Sequence, residues 1–267
     1  NVSTKLKSKA ISLVLAGGLI AAIVGPEVSR YSFDFFSDFF YLATYLCAAF
    51  IQILNFEIFI FIKIKKSKSR LNSTRPLSEI LIRKTVIIAI LSAAVGYSLM
   101  SFIMTATPLQ IVNVCKLGDS ASATVIQWHV IAMFAPSFFT GSIINLIGNR
   151  KVMMIGVFLY IISISFGVIG QTIQHFWVSL FLCGLGWNFL YVGGSDIIAK
   201  SALPDERAKV QGVTDFIIFI FVASGSFLAG TLHINLGWEI MMFYTSIPIF
   251  VLFLSILFIN PKEIKAT

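Results

Sequence analysis

Charged side chains are scarce in this sequence. They make up 12% of its 267 residues, whereas hydrophobic residues make up 57% and the mean hydropathy is +0.91. A soluble domain carries about 25% charged residues, which help to cover its water-facing surface. This chain has too few polar side chains for such a surface. The composition therefore excludes an ordinary soluble domain and predicts a protein that lies in a lipid bilayer.

Cysteine is also rare, and the common catalytic motifs are missing. Cys47, Cys115 and Cys183 are scattered, show no CxxC spacing and are odd in number, so neither a disulfide framework nor a zinc site is indicated. The sequence contains no HExxH, no GxSxG-like elbow and no GxxxxGK phosphate-binding loop. We therefore expect that the chain is not an enzyme and that it has no metal or other cofactor.

The net charge of +8 does not indicate nucleic acid as a partner. Nucleic-acid binding needs a basic stripe on a water-soluble surface. Here the basic residues occur in short clusters between long apolar runs, which is the pattern of a membrane protein.

Eight apolar stretches are long enough to cross a bilayer as helices, which requires about 20 residues each. The runs are too long and continuous for the alternating strands of a membrane barrel. The sequence thus predicts an all-α membrane protein with eight transmembrane helices. Their approximate bounds are 10–30, 38–62, 85–109, 121–147, 151–171, 175–199, 210–232 and 238–259.

The distribution of Lys and Arg predicts how these spans are oriented. Every Lys and Arg except Arg30 and Lys116 falls on one alternating set of connections. Because basic loops stay in the cytoplasm, this set is predicted to be cytoplasmic, as are both ends of the chain.

A basic segment divides the spans into two plus six. It begins with "KIKKSKSRLNSTRPLSE", residues 63–79, and continues into the short amphipathic piece "PLSEILIRK". We predict one part at 1–62, a basic cytoplasmic linker at 63–82 and a six-helix part at 83–267. The alternative is a solvated charge run that only fixes the topology.

A short turn between the fourth and fifth spans, "TGSIINLIGNRK", carries a partial motif. Gly148 can end the fourth helix because glycine tolerates the left-handed cap conformation, and Arg150 and Lys151 then face the lipid headgroups. Together with Gly141, these residues resemble the cytoplasmic signature of the major facilitator superfamily of secondary transporters. The acidic position of that signature is Asn145 here and its next basic position is Leu146, so the resemblance supports the fold more than a working gate.

Two other segments are similar to motifs of this family. "LPDERAKVQG", residues 203–212, resembles an acidic–arginine turn, and "AGGLIAAIVGP", residues 16–26, resembles a glycine–proline motif whose final glycines are Ser29 and Arg30 here. In the second segment Gly17, Ala21 and Gly25 lie four apart on one helical face, where another helix can pack closely. Pro26 leaves a backbone carbonyl unpaired and permits a bend.

The resemblance implies the identity of each span. The eight spans correspond to helices five to twelve of a twelve-helix fold, which implies that four helices precede this chain. It also implies a bacterial permease of the cytoplasmic (inner) membrane, monomeric when complete, that moves a small neutral or amphipathic organic solute by alternating access. The segments "IQWHVIAMFAPSFFTGS" and "GWNFLYVGG" are similar to a bacterial permease subgroup, with one likeness to riboflavin permeases. The substrate and the direction of transport stay open.

Polar and aromatic residues at mid-depth are the candidates for a substrate cavity, because such transporters bind solute near the bilayer midplane. His129 could also couple transport to protons. The alternatives are a neutral histidine bonded within the bundle and, for the other positions, ordinary helix packing. The cavity candidates are Tyr97, Ser101, Gln127, Trp128, His129, Trp187, Asn188 and Tyr191.

Two carboxylates near the cytoplasmic ends of their spans are candidates for a gate. Asp196 can reach Lys200 one turn later, and Asp215 lies near Arg207 and Lys209 in projected depth. We predict a cytoplasmic ion-pair network that holds one conformation shut. A proton-coupling carboxylate is the alternative for these residues, and a membrane subunit or receptor without transport activity is the alternative for the chain as a whole.

Overall fold

The regular structure of the described residues is entirely helical, which confirms the all-α prediction. The computed structural model describes residues 4–32, 35–36, 38–39, 41–61, 75–203 and 205–260. The helices are α1 (Thr4–Ser32), α2 (Leu42–Phe61), α3 (Leu77–Leu81), α4 (Lys84–Pro108), α5 (Asp119–Phe134), α6 (Ser137–Ile147), α7 (Asn149–Ile169), α8 (Ile173–Ser201), α9 (Arg207–Leu236), α10 (Trp238–Tyr244) and α11 (Ser246–Leu257), with a π-helical turn at Leu109–Val114.

The chain forms two compact units, residues 1–69 and 70–267. In the first unit, α1 continues through Pro26. A hydrogen bond of 2.7 Å between the hydroxyls of Ser32 and Thr44 joins the end of α1 to the start of α2. The predicted basic linker at 63–82 lies mostly outside the described residues, which resume at Arg75.

The described residues of the second unit contain six segments that could cross a bilayer by length and composition, when one bent helix pair counts as a single span. Five are single helices or helix pairs of sufficient length and apolarity, and the sixth is the pair α5–α6, bent by 43°. These segments match the last six predicted spans, although the fourth span is broken rather than continuous. The first two predicted spans fall on α1 and α2, and the described apolar part of α2 is only Leu42–Ile58. The total of eight crossings therefore stays a prediction.

α8 lies at the centre of the second unit, where α4, α5 and α7 pack against it. Glycines permit the close approach. A Cβ atom on Gly194 would lie 2.6 Å from the carbonyl oxygen of Ala89 in α4, and one on Gly184 would lie 2.5 Å from that of His129 in α5. Lipid removes the hydrophobic drive between helices, so close contacts of small residues largely hold such a bundle together.

Contacts at the two ends of the second unit show that its spans run up and down. At one end, which we call the basic end, Arg75 bonds Glu206, Asn149 bonds Asp196, and the Lys84 ammonium lies 4.6 Å from the ring centre of Phe258. At the opposite end, the Gln110 side chain contacts Gln171 and His233. This grouping agrees with the alternation of the Lys and Arg clusters in the sequence.

Large apolar side chains cover the outside of the second unit. Phe227 and Ile234 are each 80% exposed, and Leu146 is 84% exposed. Contiguous apolar surface of this extent is unusual in water and normal against acyl chains. The protein is an integral membrane protein.

Candidate functional site

An aromatic cluster joins four helices inside the bundle. The rings of Trp187 and Tyr191 on α8 stack with centroids 5.1 Å apart and planes 8° apart. Tyr97 on α4 stands edge-on to both rings, at 5.2 and 5.5 Å. Phe134 on α5 and Phe219 on α9 complete what we call the aromatic cluster. Three predicted cavity residues, Tyr97, Trp187 and Tyr191, are thus brought together.

One side of the aromatic cluster is buried and the other reaches the surface. Trp187 is 5% exposed, whereas Phe219 is 54% exposed and Tyr97 and Tyr191 are half-buried. The indole Nε1 of Trp187 is buried and has no hydrogen-bond partner among the described residues. A buried donor without an acceptor is costly, which makes it a group that can bond a solute.

Asn188 links α8 to the break between α5 and α6. Pro136 has no backbone N–H, so the helical ladder is interrupted there. The Asn188 amide donates to the carbonyl oxygen of Met133 at 2.7 Å and to the Ser137 hydroxyl, and its oxygen accepts from the Thr140 hydroxyl at 2.6 Å. The amide nitrogen and the amide oxygen of this fully buried side chain are therefore both hydrogen-bonded within the bundle. The predicted contact of Asn188 with substrate stays a prediction, and its observed partners all lie within the bundle.

His129 is buried beside the same helix pair. Its ring Nδ1 lies 2.7 Å from the Leu180 carbonyl oxygen, which can only accept, so Nδ1 carries a proton and donates it. Nε2 is buried and has no partner among the described residues. In the neutral ring Nε2 is therefore a hydrogen-bond acceptor that has no donor among the described residues.

The other cavity candidates lie in different surroundings. The Ser101 hydroxyl on α4 is 2.6 Å from that of Ser226 on α9, one turn beyond Tyr97. Gln127 is half-buried on α5. Trp128 is 42% exposed and packs edge-on against Trp177 at 5.7 Å, away from the aromatic cluster.

The signature turn at the basic end is built around Gly148. α6 ends at Ile147, as predicted, and α7 begins at Asn149, two residues before the predicted start of the fifth span. Gly148 between them has φ 87° and ψ 154°. This is an extended positive-φ conformation rather than the left-handed cap that we expected, and it is open essentially to glycine alone. Gly141 and Asn145 are exposed, as is Lys151, while Arg150 is half-buried.

Asn149, which sequence reasoning missed, connects this turn to α8. Its amide donates to the Gly193 carbonyl oxygen at 3.0 Å and to the Asp196 carboxylate at 2.8 Å. Asp196 also pairs with Lys200, which confirms the predicted one-turn ion pair. Asp215, by contrast, accepts a hydrogen bond of 2.6 Å from Gln211, and the described residues show no ion pair between it and Arg207 or Lys209. The expected network therefore does not include Asp215 in this conformation.

The second missed contact is a bidentate ion pair at the basic end. The Arg75 guanidinium donates to the two carboxylate oxygens of Glu206 at 3.1 and 2.7 Å. Glu206 also accepts from the Leu203 backbone N–H at 2.9 Å. Hydrogen bonding to this carboxylate raises the pKa of Arg75 above its ordinary value. The pair ties the segment before α3 to the turn between α8 and α9, within "LPDERAKVQG".

The predicted packing face of α1 lies in the first unit. Ala21 is exposed, and a Cβ atom on Gly17 or Gly25 would have no atom within 4 Å. Buried Ala22 lies beside that face. The packing role of Gly17, Ala21, Gly25 and Pro26 stays a prediction.

Comparison with known proteins gives one family. The Major Facilitator Superfamily profile matches residues 116–267. Riboflavin transporter RfnT of Brucella anthropi is 39% identical over 238 residues, which cover 88% of this chain and 60% of that protein. The MFS-type transporter YdeG of Bacillus subtilis, itself uncharacterized, is 30% identical over 55% of this chain and 35% of its own length. Riboflavin transporter RibZ of Clostridioides difficile is 23% identical over 56% of this chain and 33% of its own length.

The chain covers only part of the length of each relative. The chain spans 60% of RfnT and about a third of the two other relatives. Six bilayer-length helical segments, the partial signature turn around Gly148 and the profile over the C-terminal 152 residues agree with one another. This chain belongs to the Major Facilitator Superfamily of transporters.

Proposed function

We propose that this chain forms part of a secondary transporter that moves riboflavin, or a similarly flat heteroaromatic solute, by alternating access. Two relatives carry the name of riboflavin transporter, and RfnT is 39% identical over most of this chain. The observation that carries the proposal is the stack of Trp187 on Tyr191, with Tyr97 edge-on to both rings.

A flat heterocycle fits the chemistry of the aromatic cluster. Aromatic rings favour offset or edge-on contacts with other π systems, and such pairs contribute about 0.5–1.5 kcal/mol beyond the area they bury. The unpartnered indole N–H of Trp187 can donate to a ring carbonyl or ring nitrogen. Contacts of this kind bind a neutral solute without a midplane charge, which would be costly in lipid.

The basic end supplies the parts of a gate under this proposal. The contact of Asn149 with Asp196 joins α7 to α8, the contact of Arg75 with Glu206 joins the segment before α3 to the turn between α8 and α9, and Lys200 pairs with Asp196 within α8. Under the proposal these contacts hold the basic end of the second unit in one arrangement while the transporter alternates between its two states. The proposed location is the bacterial cytoplasmic membrane, with the basic end in the cytoplasm because basic loops are retained there. The complete protein is proposed to act as a monomer.

Proton coupling is assigned to His129. Its unpartnered Nε2 can accept a proton while Nδ1 keeps its bond to Leu180. Histidine is the side chain whose charge ordinarily changes near neutral pH, so a conformation that opens this site to water can load it with a proton.

Uptake of radiolabelled riboflavin by cells that express the full-length protein, and that lack other riboflavin uptake, tests the proposal. We expect Trp187→Ala to abolish uptake and Trp187→Phe to weaken it, because phenylalanine retains a ring but loses the N–H. Trp177→Phe is the matched control, since Trp177 lies on the same helix but outside the aromatic cluster and stacks on Phe181. The riboflavin assignment would be refuted if cells with the wild-type protein took up no riboflavin whichever way a proton gradient was imposed across the membrane.

A further inference from the structure

An apolar groove runs along the second unit between α4, α9 and the pair α10–α11. Its volume is about 560 Å³. Phe102 and Leu99 line it on α4, Leu228 on α9, and Tyr244 and Pro248 on the far side. The Ser98 and Ser224 hydroxyls that also line it donate to backbone carbonyls, so they offer no free donor to an occupant.

The groove has the length of one leaflet. On α9 its lining residues run from Ile220 to Leu236 at helical spacing. The sixteen steps of helical rise between them correspond to about 24 Å. Half of the hydrocarbon core is about 15 Å, and the adjoining headgroup layer adds about 5–7 Å. A single acyl chain that ends in the headgroup layer of the leaflet opposite the basic end therefore matches the groove.

A polar pocket adjoins the groove at that end. It has a volume of about 340 Å³ and shares Leu236 with the groove. A chain of hydrogen bonds crosses its wall. His233 Nε2 is 2.7 Å from the Gln110 oxygen, the Gln110 amide donates to Gln171 at 2.6 Å, and the Gln171 amide donates to Glu239 Oε1 at 3.1 Å. Four separate elements thus fix the wall of this pocket.

The charge of the pocket is negative. Glu239 is exposed, and only its Oε1 has a hydrogen-bond partner among residues 75–203 and 205–260. The ion pairs of the described residues do not include it. The amides beside it are bonded to one another, so the free carboxylate oxygen is the group that an occupant meets. A carboxylate at the membrane surface attracts a cationic group.

We infer that the groove and the polar pocket together bind one phospholipid with an amine headgroup. One of its two acyl chains lies along Leu228 and Phe102, and its ammonium donates to the free oxygen of Glu239. The bilayer that surrounds the protein supplies this occupant at the right depth. The inference is independent of the solute that the protein transports.

Native mass spectrometry of the full-length protein tests the inference. The protein is delipidated in detergent and then offered equimolar phosphatidylethanolamine and phosphatidylglycerol. We expect the wild type to retain phosphatidylethanolamine in preference. Glu239→Gln should reduce that retention roughly two- to fivefold, the size expected for a solvent-accessible ion pair. Asp119→Asn removes an exposed carboxylate at the same end of the bundle and should change nothing.

A second pair of variants tests the groove itself. Leu228→Trp fills the groove with an indole ring and should abolish retention of the bound lipid. Phe227→Trp is its control, because Phe227 is the neighbouring residue on α9, is 80% exposed and does not line the groove. Equal retention of the two lipids by the wild type would overturn the inference. So would wild-type retention in both Glu239→Gln and Leu228→Trp.

Discussion

Arg75 and Glu206, 131 positions apart in the sequence, form a two-bond ion pair at the basic end. Their side chains are 18% and 4% exposed, so the carboxylate is nearly removed from water. A planar guanidinium matches a carboxylate in this geometry, which the single ammonium of lysine cannot do. The pair therefore fixes where the segment before α3 meets the turn between α8 and α9.

We predict that Glu206→Gln and Arg75→Lys both lower the melting temperature of the purified protein, measured by a thermal shift assay. Glutamine removes the charge that pairs with Arg75, and lysine cannot form the two-bond contact with the nearly buried carboxylate of Glu206. Asp205→Asn is the control, since Asp205 is exposed in the same turn and makes no ion pair among the described residues. A charge exchange, Arg75→Glu with Glu206→Arg, should recover part of the loss. Unchanged melting in both single variants would contradict the assignment.

The contribution of Arg75 is predicted to be insensitive to pH in the working range. Its folded pKa is raised, so its stabilising effect is fully present below the pKa of arginine in the unfolded chain and is lost only as pH rises through the still higher folded pKa. Between neutral pH and about pH 9, where neither arginine nor the substituted lysine loses its proton, the difference in melting temperature between wild type and Arg75→Lys should stay constant. A difference that disappears in this interval would point to another titrating group.

Asn188 gives a test that separates packing from solute binding. Asn188→Ala removes the partner of the buried Met133 carbonyl and of the Ser137 hydroxyl, while the Thr140 hydroxyl keeps its bond to the Pro136 carbonyl oxygen. We expect a loss of about 1–3 kcal/mol in the free energy of unfolding. Asn188→Asp cannot donate to the carbonyl and should cost more, whereas Thr140→Val removes one bond and should cost less. Wild-type stability of Asn188→Ala together with lost solute binding would instead favour the substrate contact.

His129→Asn is predicted to keep the fold and to remove the pH dependence of uptake. The asparagine amide can replace Nδ1 as donor to the Leu180 carbonyl, but it cannot titrate near neutral pH. Uptake without a proton gradient reports whether the fold is kept, and the change in uptake when a gradient is imposed reports proton coupling. The control is His175→Asn, since His175 lies at the start of α8 and pairs with Thr172. An unchanged response to the gradient in His129→Asn would exclude proton coupling through this residue.

The close approach of α5 and α8 predicts that Gly184→Ala is destabilising. The added Cβ would lie 2.5 Å from the backbone oxygen of His129, so one helix must shift, at a cost of about 1–3 kcal/mol. Gly230→Ala provides the comparison because a Cβ there meets nothing within 4 Å. In thermal shift measurements the melting temperature of Gly184→Ala should fall further than that of Gly230→Ala. Equal shifts in the two variants would contradict the close packing of α5 against α8.

The sequence was sufficient for the helices but not for their side-chain links. Long apolar runs and the positions of Lys and Arg predicted the six segments of the second unit, because a bilayer imposes helix length and loop charge directly. The bend at Pro136 and the positive φ of Gly148 have local causes, and only the second was anticipated. The links Asn149–Asp196, Arg75–Glu206 and Asn188–Met133 join residues 47, 131 and 55 positions apart. Such pairings depend on how the helices pack, which no local pattern specifies.

The π-helical turn at Leu109–Val114 holds one residue more than the same length of α-helix. Releasing that residue into the loop would rotate one side of the turn relative to the other by about 100°. Such a rotation would carry the Gln110 side chain away from both His233 and Gln171, so those two hydrogen bonds secure the surplus residue in place. Loss of both bonds in Gln110→Ala is therefore expected to loosen this turn, and faster amide exchange across Leu109–Val114 would reveal it.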